Sequence, residues 1–141
     1  MAQVNSTVGD LEGNVAKIRK FLADAKKRRA DLVVFPELAV TGYPPQDLLL
    51  ENGFVEKNKR ALEEMIRGNT VDVAGVVGFV DYKGKDLFNA AAIFNRNKLV
   101  GVVYKTLLPT YDVFDEDRYF KPTKEEEIAP VSITINGKTV P

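Results

Sequence analysis

Leu32-Val-Val-Phe35 is an uninterrupted apolar run that Pro36 stops, and a helix-periodic segment leads into it. A short run so rich in β-branched side chains predicts a strand buried on both faces, which demands a sheet with covering layers. The upstream segment supplies one cover. Asp10 can cap a helix over residues 11–29, in which Val15, Ile18, Leu22 and Ala25 recur at i, i+3, i+4 spacing. Lysine and arginine crowd its last turn, where the helix dipole favours cations, and read as a solvated helix end. Ahead of it, residues 1–4 read as the end of a first strand that residues 6–9 turn.

The same alternation continues downstream. Thr41-Gly-Tyr-Pro-Pro45 is a turn-rich loop, residues 46–50 suit a short helical turn, and residues 54–67 form a second amphipathic helix with Val55, Leu62, Met65 and Ile66 inward. Residues 71–80 read as a buried strand whose Gly75 and Gly78 permit close approach of a neighbouring element. Residues 87–94 and 99–104 predict an antiparallel pair joined by Asn95-Arg-Asn-Lys98, whose asparagines tolerate a left-handed turn. An aromatic- and acid-rich loop occupies residues 105–121, and a charged linker residues 121–130. Residues 131–135 alternate as a strand, and Asn136-Gly137 signals a hairpin whose return strand is brief. Short pieces at both ends suggest part of a longer chain, in one mixed α/β (α+β) domain.

Absent residue types narrow the chemistry. The 141 residues contain no histidine and no cysteine, which removes imidazole bases, thiol nucleophiles, disulfides and thiolate metal sites. No metal site is expected. With 20 acidic and 20 basic residues the net charge is zero, and no basic stripe interleaved with aromatics suggests nucleic acid. The apolar runs are too short to span a membrane and no signal-peptide pattern occurs, so a cytoplasmic protein with neither membrane nor nucleic-acid partners is expected. Neither a P-loop nor a GxGxxG motif is present. Carboxylate, amine and phenol chemistry remains.

Two charges then stand out: Glu37 just after the first apolar run, and Lys105 just after Val102-Val-Tyr104. Strand ends are where α/β proteins gather chemistry, and a carboxylate with an ammonium suggests a buried base and its electrostatic partner. On spacing alone, Glu37 reads first as a solvated loop acid and Lys105 as an ordinary strand-end cation snorkelling over apolar neighbours. The pair lacks a nucleophile.

These residues carry a resemblance. Phe35-Pro-Glu37-Leu with Thr41-Gly-Tyr43, and Tyr104-Lys105 with Leu108-Pro109, resemble two signatures of the nitrilase (carbon-nitrogen hydrolase) superfamily. More narrowly, residues 2–14, Thr41-Gly-Tyr-Pro-Pro-Gln-Asp-Leu-Leu49 and residues 105–120 resemble the N-terminal glutaminase domains of glutamine-dependent NAD synthetases. The resemblance implies a four-layer α-β-β-α sandwich, here incomplete, with the synthetase domain absent. It also implies a Glu-Lys-Cys catalytic set in which Glu37 is the general base and Lys105 stabilises the oxyanion. Tyr111 matches a tyrosine that contacts bound glutamine and Glu116 a second glutamate that holds the lysine; read alone, Tyr111 suits aromatic packing as well as substrate contact, Glu116 suits a surface or structural acid, and Tyr43 shapes the loop or, second, a substrate wall. The cysteine signature has no counterpart, which places the nucleophile beyond these residues. No cofactor is implied for this domain, whereas the synthetase domain uses ATP and magnesium. Expected partners are glutamine, the synthetase domain of the same parent chain and further copies in a homo-oligomer. A free-standing nitrilase-type amidase, and a non-catalytic binding or assembly module, remain open alternatives.

Overall fold

Helix α1 (Leu11–Lys27) starts where Asp10 accepts the Gly13 N–H at 2.9 Å, and it ends two residues before the expected limit. Arg29 has left-handed backbone (φ 60°) and cannot continue the helix. The computed structural model describes residues 1–123, together with the backbones of residues 133–135 and 138–140. Four strands form one sheet in the order β1 (Leu32–Val34), β2 (Ala74–Lys83), β3 (Asp86–Asn95), β4 (Lys98–Tyr104). The β1–β2 pair is parallel; the other two are antiparallel. Residues 1–4 form no strand: Ala2 donates one hydrogen bond to Val34 O beside β1.

Both α1 and α2 (Phe54–Arg67) pack on one face of this sheet. Ile18 and Leu22 of α1, with Leu62, Met65 and Ile66 of α2, bury against Val33, Phe35, Val77, Phe79, Ala90, Ala92 and Phe94. Full burial of each large aliphatic side chain contributes about 1.5–3 kcal/mol, so this seam carries most of the local stability. Gly75 is required here, because the Phe94 ring lies where a Cβ would stand, only 2.3 Å from its Cζ. The described residues thus supply one helical layer on one four-stranded sheet.

The opposite face corrects the expectation for β1. Val33 is buried, but Leu32 and Val34 on the other side are each 37% exposed, since no described element covers them. Strand β2 begins at Ala74 rather than residue 71, where the Ala74 N–H first bonds Asp31 O. The β3–β4 turn also differs. Its left-handed residue is Arg96 (φ 52°), not an asparagine. Arg96 is held there by Asp72 at 2.8 and 2.9 Å, and Asn69 donates to its carbonyl at 2.9 Å.

Strands β5 (Ile133–Ile135) and β6 (Lys138–Val140) pair antiparallel, as a hairpin requires. The Asn136-Gly137 turn and the linker at residues 124–130 lie outside the described residues. Lys121, at the start of that linker, is anchored: its N–H bonds Leu87 O at 2.8 Å.

Candidate active site

Successive side chains on a strand point to opposite faces, and this alternation sorts the polar residues of the sheet. Phe88 and Tyr104 face the helices. Their neighbours Asn89 and Lys105 therefore emerge on the open face, aligned because the Lys105 N–H continues the β3–β4 ladder to Asn89 O at 2.8 Å.

Glu37 reaches the same spot by a different route. After β1 the chain stays beside β2, with Phe35 N–H on Val76 O at 2.9 Å and Val40 N–H on Gly78 O at 3.2 Å. Between them residues 36–38 cross directly over Gly78, where a Cβ would come within 2.4 Å of Leu38 N. Only glycine permits that crossing. Leu38 takes left-handed backbone (φ 49°), which is costly for a branched side chain and persists because Leu38, Ala39, Val40 and Thr41 are all buried. The buried Asn14 amide locks the loop from below, donating to Thr7 O at 2.7 Å and Val40 O at 3.0 Å.

Glu116 comes from the long loop. Its N–H bonds Pro109 O at 3.3 Å and starts a single 3₁₀ turn, Glu116–Arg118. Beyond it Phe120 pairs beside Leu87. Both ends of the loop are therefore fastened to β3.

Three side chains converge. Lys105 Nζ lies 2.8 Å from Glu37 Oε1 and 3.0 and 2.9 Å from the two Glu116 oxygens. Asn89 Nδ2 donates to the same Glu37 Oε1. Tyr43 closes the group with its hydroxyl 3.5 Å from Glu116 Oε1. Glu116 is the buried member at 8% side-chain exposure, against 29% for Lys105 and 44% for Glu37. Glu37 is thus more open than expected at a strand end, because the face it occupies has no described cover.

Partial burial pulls the Lys105 ammonium down, but hydrogen bonds and charge from Glu37 and Glu116 outweigh this and hold its pKa above the ordinary lysine value. Lys105 therefore stays protonated at neutral pH, which suits it to stabilise an anion and unsuits it as a nucleophile. Burial, with the Glu116 and Glu37 charges, raises the Tyr43 phenol, so it remains a donor.

Tyr111 is not gathered into this cluster. It is 69% exposed and stacks edge-on against Phe114 at 5.6 Å between centroids. Phe114 in turn lines a cavity of about 470 Å³ with Tyr43, Pro44, Asp47, Glu116 and Arg118. Asp47, at its rim, accepts from Arg118 Nη2 at 3.3 Å and from the Tyr119 hydroxyl at 2.5 Å. The Tyr43–Pro44 peptide is cis. Among the described residues no group of three or more metal-ligating side chains is placed to hold a metal ion.

Glu37, Lys105, Glu116 and Tyr43, expected from sequence, meet; Asn89 was missed. Its signal was a polar residue inside the apolar run of β3, flanked by Phe88 and Ala90.

The carbon-nitrogen hydrolase family matches residues 1–138. The chain belongs to that family. Among curated relatives, the glutamine-dependent NAD(+) synthetase of Thermotoga maritima is 40% identical over 141 residues, covering 99% of this chain and 24% of its own length. The synthetase of Aquifex aeolicus is 41% identical over 141 residues, again covering 99% of this chain and 24% of the relative. In three dimensions, the glutamine-dependent NAD+ synthetase of Acinetobacter baumannii superposes with a TM-score of 0.86 at 32% identity, covering 99% of this chain and 26% of that one. This carbon-nitrogen hydrolase chain therefore has the nitrilase fold and spans about a quarter of the length of the synthetases it resembles.

Proposed function

We propose that these 141 residues are the N-terminal part of the glutaminase domain of a longer glutamine-dependent NAD synthetase, with the cysteine nucleophile outside this sequence. One observation carries the reading: an ammonium bridging two carboxylates on the open sheet face, one carboxylate half-open and the other buried. The 40% identity to synthetases favours glutamine over the simpler substrates of a free-standing amidase.

In this reading Glu37 takes the thiol proton, and the thiolate attacks the side-chain amide carbon of glutamine. Lys105 stabilises the resulting oxyanion, held in place by Glu116. Glu37 then returns the proton to the leaving nitrogen, ammonia departs and a thioester remains. Water attacks the thioester with Glu37 again as base; the thiol is expelled and glutamate released. Ammonia passes to the synthetase part, which amidates deamido-NAD with ATP and magnesium; no residue of this chain is assigned to either. In this reading Tyr43 and Tyr111 contact glutamine. A homo-oligomer in the cytoplasm completes the proposal; among the described residues, no helix is long and apolar enough to cross a membrane.

The test is glutamate release from glutamine by the full-length protein. Wild type should turn over, and Lys105→Met should lose about 10³-fold or more in kcat while melting as wild type does. Near-wild-type turnover by that variant would sink the assignment.

A further inference from the structure

Two donors converge on a single atom of the base. Glu37 Oε1 accepts from both Lys105 Nζ and Asn89 Nδ2, whereas among the described residues Oε2 accepts nothing. We propose that Asn89 is a positioning residue for the general base, fixing the Glu37 carboxylate so that Oε1 is occupied and Oε2 faces the proton it must take. This rests on the glutaminase reading above.

The two donors are unequal constraints. Lys105 ends a flexible four-carbon stem and divides its hydrogen bonds between Glu37 and Glu116, so it tolerates movement of either. Asn89 is short, 5% exposed and planted mid-strand opposite Val80. Its amide can face a carboxylate only with its NH2, since the carbonyl oxygen would be repelled. Asn89 also receives the Lys105 N–H on its backbone oxygen at 2.8 Å. One residue therefore sets the height of the lysine through its main chain and the rotation of the glutamate through its side chain.

The need for such a constraint follows from the openness of Glu37. With 44% of its side chain exposed and its backbone on a loop, the carboxylate has room to rotate about the Lys105 contact alone. An aspartate at position 89 would instead add a third carboxylate to Glu37 and Glu116. Among the described residues, Lys105 contacts Glu37 directly, Glu116 shares that lysine, and Tyr43 reaches Glu116.

The experiment uses full-length protein carrying Asn89→Ala, and Asn89→Asp as the variant that preserves shape. In Asn89→Ala, kcat for glutamine should fall about 10- to 100-fold with KM little changed, as expected for a displaced reacting group. Asn89→Asp, which places a carboxylate against Glu37 Oε1 in place of a donor, should lose at least as much kcat. Crystal structures give a readout independent of turnover: Glu37 should hold one rotamer in wild type and several in Asn89→Ala. A single Glu37 rotamer in both proteins overturns the positioning role even if neither turns over glutamine. An unchanged kcat in both variants, or a loss confined to KM, overturns it too, whereas a wild type without glutaminase activity defeats the glutaminase reading alone.

Discussion

Two charged clusters sit back to back across the same strands, and only one is left open. On the helix face, buried Asp81 accepts from Lys59 of α2 at 2.7 Å, from the Tyr104 hydroxyl at 2.8 Å and from the Tyr82 N–H at 2.9 Å. On the other face, Lys105 joins Glu37 and Glu116. The clusters are adjacent in sequence, Tyr104 belonging to one and Lys105 to the other, and the pleat separates them. Around Asp81 one buried carboxylate accepts from three donors. Around Lys105 the carboxylates outnumber the cation, and among the described residues Glu37 Oε2 accepts no hydrogen bond. The same residue types thus fasten a helix to a sheet around Asp81 and, in the proposed mechanism, serve catalysis around Lys105.

Mutations should separate the two clusters in order of effect. In the proposed mechanism Glu37→Gln removes the general base and should lower glutaminase kcat by about 10³-fold without moving the melting temperature. Asp81→Ala should do the reverse. It strands Lys59 and the Tyr104 hydroxyl and should cost about 2 kcal/mol by denaturant titration, discounted because Lys59 is 35% exposed, while kcat per folded molecule stays within a few-fold. The smallest effect concerns alkaline pH. Burial and the hydrogen bond to Asp81 push the Tyr104 phenol up to about 12 from its ordinary 10.0. A raised folded-state pKa gives stabilisation that is whole below about pH 10 and is lost as pH rises through about 12. Tyr104→Phe should make that alkaline decline shallower; an unchanged slope would remove Tyr104 from the account.

Much of this was legible before any coordinates. Both helices follow from apolar spacing because a single covered face imposes a 3.6-residue period, and α2 keeps its expected bounds, Phe54–Arg67. The continuous run at Leu32-Val-Val34 reported high apolar content but could not report which face is covered. The position of Arg96 in the hairpin depends on Asp72, and that of Glu116 on backbone bonds of the 105–121 loop, so neither follows from local composition. Asn89 shows the limit most clearly. Its identity breaks the apolar pattern of β3, but its meeting with Glu37 requires the crossing over Gly78, a tertiary event.

The most direct test of the contrast between the two faces is the ratio of glutaminase kcat, per folded molecule of full-length protein, between Glu37→Gln and Asp81→Ala. An open catalytic cluster and a closed structural one predict that Glu37→Gln falls on the order of 10³-fold below Asp81→Ala. Comparable turnover in the two variants, or a greater loss in Asp81→Ala, would contradict it.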